Sequence, residues 1–474
     1  MLEHALEYAR ANRAAHLDAL CDWVRIPSVS ALPEHAADVH RAGEWAVDRL
    51  RELGLHRAEM VDTAGHPIVY AEWMGAQAPT LLIYGHFDVQ PVDSIDEWKR
   101  PPFEPRLEGD SLYGRGTSDD KGQAFAVLAA LESYLKSSGR LPVNVKVLLE
   151  GEEEITSPHL PPFLRDHTVQ LSADAILIAD QDMLDPQHPV VMYGVRGNLY
   201  VEIEVRGPAS DLHSGTFGGA VDNPFNVLVR LLASLQDGSS RRVLIPGFYD
   251  AVQPLSAAER ALLAQAPITD EVGLYLTGAP ALGGEEGFLL AERISVRPTL
   301  EVHGIVGGFT GTGQKTVIPA KAVAKVSMRL VPDQEPFAIA ALLEAHLRRV
   351  APPTVNWELR VMGTARPALI DFGAPAVQAA AQAYERGFGH PPVYLRGGGS
   401  LPIVRDMIDS LSPAGGEIPV VMIGFGLPDD RTHAPNEKFH LPNFYRGIQT
   451  VIHYLDILAS RPRIGPKIPP TTPT

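Results

Sequence analysis

Four short apolar runs, each opening onto acidic or imidazole side chains, limit what this chain can fold into more than any other feature. Leu81-Leu82-Ile83-Tyr84 stops at Gly85 and is followed by His86 and Asp88. Val143–Leu149 runs into Glu150-Gly151-Glu152-Glu153-Glu154, Ala175–Ala179 ends on Asp180, and Val420–Ile423 leads to Gly424–His433. Runs of this length read as buried strands, and helical patterns lie between them, notably Ala36–Leu53 closed by Gly54 and Gln123–Leu135. Strands alternating with helices predict an α/β fold, a mostly parallel sheet covered by helices on both faces. In such sheets ligands bind beyond the carboxyl ends of the strands, which is where these polar residues fall.

The remaining pattern divides the chain. Residues 1–25 read as one helix, and Ile68–Trp73 and Thr80–Tyr84 as a pair of neighbouring strands. After Gly194 the texture changes. Tyr200–Arg206 and Val323–Val331 alternate as half-exposed strands do, with helices at Ala220–Leu235 and Pro336–Val350 and a strand at Thr354–Val361. This predicts a two-layer α+β domain inserted into the first, with a Pro- and Gly-bearing excursion over roughly 240–300. The expected division is 1–195 and 372–474 for a catalytic domain and 196–371 for the insert, with a disordered tail at 462–474.

Composition excludes several classes. Net charge is −16, from 41 Lys and Arg against 57 Asp and Glu, with no basic block, so neither nucleic acid nor an anionic membrane is expected as a partner. The single cysteine, Cys21, rules out an internal disulfide and a cysteine zinc site. Any metal must use His, Asp and Glu. The N-terminal stretch has no signal-peptide core and no apolar run is long enough to span a membrane, which leads to a cytoplasmic expectation.

The candidates are therefore His86, Asp119, Glu153, Glu154, Asp180 and His433. Singly each has an ordinary reading: Glu152–Glu154 as a solvated turn, Asp180 as a helix cap, His433 as a surface histidine. Together they suit two divalent ions sharing one carboxylate and one water. Asp119, in the Gly-rich turn Gly114–Gly122 at a helix entrance, is the natural bridge. His86 and Asp180 then serve one ion, Glu154 and His433 the other, and Glu153 is left as general base. Oxygen and nitrogen ligands suit zinc, with manganese or cobalt as alternatives. Asp88, two residues beyond His86, can orient the imidazole through its second nitrogen. The triple glycine Gly397-Gly398-Gly399 is no phosphate loop, since no Lys-Ser/Thr follows it.

GHFDV, GRGTSDDKG, EGEEE, the Asp after AILIA, DLHSG and THAPNEKF together resemble the co-catalytic metallopeptidase family of carnosinases, aminoacylases, succinyl-diaminopimelate desuccinylase and acetylornithine deacetylase. IPGFYD at 245–250 and KTVIP at 315–319 resemble its carnosinase-like dipeptidase branch. The resemblance implies the roles assigned above and a cis Asp119–Asp120 bond. It further implies an inserted lid and dimerisation domain and a homodimer in which His213 reaches the partner's site to stabilise the oxyanion. Arg329, Thr316, Gly398, Gly399 and Ser400 would contact substrate. Ile155-Thr156-Ser157 replaces the small Gly-Ser pair common after the family's glutamates, which is expected to alter the pocket wall. The function expected is hydrolysis of dipeptides or similar small peptides. The alternatives are an N-acyl amino acid deacylase or desuccinylase with the same chemistry, and a catalytically silent homologue that binds rather than cleaves.

Overall fold

The computed structural model describes residues 1–399, 401–414 and 416–461. Ser400 and the 462–474 tail lie outside them. The chain divides into two compact units, Met1–Tyr193 with Ile370–Tyr394 and Asp406–Thr474, and Gly194–Leu369 with Leu395–Arg405.

The first unit is built on a mixed sheet in the order Arg57–Val61, Ile68–Trp73, Asn144–Glu150, Thr80–His86, Ala175–Ala179, Val420–Ile423, Val190–Val195. The four strands from Asn144–Glu150 to Val420–Ile423 are parallel, and their flanking neighbours are antiparallel. All residues of the four are buried, as expected for strands covered on both faces. The Ala36–Leu53 helix shows why such segments fold as they do. Val39, Ala42, Gly43, Ala46, Val47, Leu50 and Leu53 recur at helical spacing and are its buried face. Gly54 ends it in the left-handed region at φ 93°, where a Cβ would be penalised. Among the described residues no helix is long and apolar enough to cross a membrane.

Two local expectations fail. Ile68–Trp73 and Thr80–His86 are not neighbours: Asn144–Glu150 lies between them, antiparallel to the first and parallel to the second. Hydrophobic pattern identifies strands but carries no information on which strand pairs with which. The first 25 residues form two helices, Leu2–Ala11 and Arg13–Val24. Asn12 sits at the break with its side-chain amide donating to the Tyr8 carbonyl at 2.8 Å, the local competition with helical bonding that asparagine offers.

The second unit contains an antiparallel sheet ordered Thr299–Gly307, Lys321–Leu330, Gly197–Arg206, Asn356–Ala365. Leu199, Val201, Ile203 and Val205 alternate onto one face and form a core with Val227, Leu228 and Leu231 of the Pro224–Ala233 helix and Leu343 and Leu347 of Pro336–Val350. Asn223 caps the first of these helices, accepting from Phe225 N at 2.9 Å. The excursion holds three short helices, Ala257–Leu263, Asp270–Thr277 and Leu290–Ser295.

Candidate metal centre

Parallel pairing brings the strand ends together. His86 is the last residue of its strand and lies opposite Glu150, so the turn carrying Glu153 and Glu154 emerges beside it. Asp180 follows Ala175–Ala179 on the other side. Asp119 precedes the Lys121–Ser138 helix, which packs directly onto the sheet: a Cβ on Gly85 would meet Asp120 Oδ2 at 3.0 Å and Ala124 Cβ at 3.3 Å. A Cβ on Gly122 would lie 1.9 Å from the Thr117 carbonyl, so the turn closes only with glycine there. The Asp119–Asp120 bond is cis, and His433 has φ 60°.

Ligating atoms gather in two triplets, His86 with Asp119 and Asp180, and Asp119 with Glu154 and His433, each within 4.8 Å. Asp119 belongs to both through different oxygens. Its Oδ1 lies 3.2 Å from His86 Nε2, and its Oδ2 lies 2.8 Å from His433 Nε2. Asp180 Oδ2 is 3.9 Å from His86 Nε2, and Glu154 Oε2 is 3.2 Å from His433 Nε2. The outer nitrogen of His86, Nδ1, faces Asp88, 3.1 Å from its carbonyl and 3.4 Å from its carboxylate. Nε2 is thereby left for the centre. Asp88 also accepts from the amides of Glu153 and Glu154, at 3.2 and 3.1 Å, and from Ser30 Oγ at 2.6 Å. One buried carboxylate thus sets both the imidazole and the glutamate turn.

The electrostatics are those of a site short of positive charge. Burial and then the neighbouring aspartates push Asp180 well above the usual carboxylate range. Burial pushes Glu153 up to about 7, His86 opposing and Glu154 and Asp119 adding to the shift. Burial also raises Glu154, with Asp119 adding to it. At Asp119 burial acts upward, but contacts with His433 and His86 outweigh it and hold the group below the usual range. Hydrogen bonds to Asp119 and Glu154 raise His433 to about 10. Burial pulls His86 down, yet Asp119 and Asp88 together hold it well above an ordinary imidazole. Cations would reverse the carboxylate shifts, so donor set, spacing and charge all fit divalent metal. Among the described residues no donor hydrogen-bonds the Glu153 carboxylate.

Two features were not legible from motif and spacing. Glu152 is not a solvated residue: it accepts from His66 N at 2.9 Å and meets His159 Nδ1 at 2.8 Å. Glu437 is fully buried and accepts from Arg115 Nη1 (2.7 Å) and the amides of Gly116 (3.0 Å), Ser118 (2.9 Å) and Asp119 (3.1 Å). It fixes the turn that presents the shared aspartate. Its partners lie more than 300 positions away, and its only trace in the sequence is its place in THAPNEKF. Thr156 and Ser157 are both left-handed (φ 71° and 51°), a region that side chains rarely occupy. Ser157 Oγ donates to Glu150 at 2.9 Å.

The other expected contacts lie in the second unit. His213 is exposed, pairs with Val317 across a two-residue ladder, and accepts from Gly215 N through Nδ1 at 3.0 Å. The Thr316 carbonyl accepts from Ser214 N at 3.1 Å. Arg329 lies on the Lys321–Leu330 strand opposite Asn198. The carbonyls of Gly398 and Gly399 accept from Arg196, from Nε at 2.8 Å and from the amide at 3.2 Å.

A family model described as peptidase family M20/M25/M40 matches residues 82–456. The chain is 33% identical to a Cys-Gly metallodipeptidase of Candida albicans, over 91% of this chain and 92% of that protein. It is similar to the crystal structure of an M20 family metallo-carboxypeptidase from Sulfolobus solfataricus, with a TM-score of 0.83, 35% identity, and coverage of 94% of this chain and 99% of that one. Human carnosine dipeptidase 1 superposes with a TM-score of 0.80 at 30% identity, covering 97% and 99% of the two chains. With a matching family model and relatives that it spans almost end to end, the chain belongs to peptidase family M20/M25/M40.

Proposed function

We propose that this protein hydrolyses the amide bond of dipeptides or similar small peptides, using two divalent ions, zinc first and manganese or cobalt as alternatives. The observation that carries this reading is the sharing of Asp119 between the two triplets, with Glu153 unengaged beside them. His86 and Asp180 would hold one ion, Glu154 and His433 the other, and Asp119 both. When bound, the ions supply Lewis acidity to the scissile carbonyl and the attacking water. Glu153 takes a proton from that water and returns it to the leaving nitrogen. Asp88 holds the His86 ring and the Glu153–Glu154 backbone in register. His213 stabilises the developing oxyanion from the partner subunit, Arg329 takes the substrate carboxylate, and Thr316, Gly398, Gly399 and Ser400 contact the substrate. The homodimer forms through the second unit. Val302, Ile305 and Val306 support this, being 42%, 40% and 67% exposed on the edge strand Thr299–Gly307. The single cysteine suits a cytoplasmic location.

The test is a panel of dipeptides against N-acetyl and N-succinyl amino acids on metal-loaded protein. Dipeptide turnover is expected, and Glu153→Ala should lower it about 10²–10⁴-fold while metal content is kept. Cleavage of acyl amino acids alone would make the protein a deacylase. No turnover in either protein would leave a silent homologue.

A further inference from the structure

The second unit has a half-open cavity of about 540 Å³ whose wall brings together Arg242, Arg260 and Arg297 with Tyr249 and Phe288. Three guanidinium groups around one hollow are unusual in a chain of net charge −16. Each is held in place from behind. Glu285 takes Arg297 through both oxygens, at 2.7 and 2.8 Å, and meets Arg242 Nη1 at 3.3 Å. Glu292 Oε1 pairs with Arg260 Nε at 2.7 Å, while its Oε2 accepts from Leu289 N at 3.0 Å. Arg242 also lies 4.1 Å above the Tyr249 ring, and Arg297 lies 4.3 Å above Phe288.

These contacts hold Arg297 through two nitrogens, Nε and Nη2, but each of the other two through one. Among the described residues, Arg242 meets a carboxylate only through Nη1 and Arg260 only through Nε. Their side chains stay 54% and 51% exposed, whereas the two glutamates are 10% and 2% exposed. The cavity therefore has three cations against two anions, with spare, oriented N–H groups on two of the cations. An arginine whose side chain is already fixed loses little further freedom when it binds, which is how a planar fork gains affinity for a carboxylate or phosphate. Leu255 and Val296 supply apolar wall. The volume falls in the range of small-molecule sites, roughly 300–1,000 Å³.

We propose that this cavity is a binding site for a small organic anion, one with an apolar body and a carboxylate or phosphate head that Arg242 and Arg260 recognise. The site belongs to the second unit alone and does not depend on the metal centre.

Isothermal titration of the metal-loaded protein, repeated after chelation, tests it with benzoate, phenyl phosphate and benzylamine as probes. Saturable one-to-one binding of an anionic probe is expected, to survive chelation and to weaken with salt. Arg242→Gln with Arg260→Gln should reduce affinity at least about tenfold, the scale of losing charge-assisted hydrogen bonds. Leu255→Trp, which fills the hollow and keeps the arginines, should do the same and covers the case in which the double variant does not fold. Benzoate binding alone assigns a carboxylate head, and phenyl phosphate binding alone a phosphate head. The proposal falls if neither anion saturates, if benzylamine binds equally well, if chelation abolishes binding, or if a folded variant binds like the wild type.

Discussion

The two units handle charge in opposite ways. At the strand ends of the first, Asp119, Glu153, Glu154 and Asp180 crowd together around two imidazoles, and burial drives Glu153, Glu154 and Asp180 toward protonation. In the second, Arg242, Arg260 and Arg297 meet only Glu285 and Glu292 among the described residues, which leaves one cation in excess. The face made by Glu202, Glu204 and Glu358 is likewise crossed by Arg360. A network of guanidinium groups and carboxylates in direct contact neutralises most of its own charge and holds its shape unaided. A buried cluster of one sign is stable only when something from outside completes it.

The sharpest way to break this contrast is at the support of the shared carboxylate. Glu437→Gln keeps shape but weakens a charge-assisted grip on three backbone amides and Arg115. Metal affinity, measured by competition with a chelator, should fall about 10–100-fold, the usual cost of losing an outer-layer partner. Unchanged affinity in a folded variant would show that the turn holds Asp119 unaided.

Matched neutralisations should differ in sign. Asp180→Asn removes one member of the like-charged cluster, and at pH 8 it should stabilise the metal-free protein while impairing metal binding. Glu285→Gln removes the counter-charge of Arg297 and Arg242, and should destabilise by about 1–3 kcal/mol with metal binding intact. Denaturant unfolding of metal-free protein reads both. Shifts of the same sign would erase the distinction.

The smallest and broadest effect is that of pH. Burial raises Glu150 to about 8, and Glu153 and Asp182 to about 7. The folded metal-free protein therefore holds protons there that the unfolded chain has released, and stability is lost as pH rises from the unfolded values through 8. His86 and His433, raised by their carboxylate partners, act in the same direction. Asp119, held low, adds stability that is lost only on acidification below the ordinary carboxylate range. The melting temperature of metal-free protein should fall between about pH 5 and pH 8, and bound metal should flatten the slope.

Much of this arrangement was legible because burial is written locally. Ala175–Ala179 and Val420–Ile423 are apolar without a break, and each can only be an interior strand. Polar residues directly after parallel strands share one edge of the sheet, which is why His86, Glu154 and Asp180 could be grouped, whereas Asp119 and His433 had to be added from the turn and loop that carry them. Pairing order was not legible, since Ile68–Trp73 shows nothing of the Asn144–Glu150 strand that separates it from Thr80–His86. Glu437 was missed because most of its partners are backbone amides, which every residue type but proline provides. The arginine cavity was missed because Arg242, Arg260 and Arg297 form no motif and meet only through folding.

The placement of Val420–Ile423 between Ala175–Ala179 and Val190–Val195 bears on how the molecule is made. Translation delivers that strand roughly 240 residues after the one it pairs with, a delay on the order of 10–50 s. Throughout that interval the nascent Ala175–Ala179 strand offers an unfilled apolar edge, the kind of surface that recruits the wrong neighbour. Ribosome stalling before Val420 should accordingly yield chains that aggregate or are held by chaperones, whereas arrest after Val420–Ile423 has left the ribosome should release them.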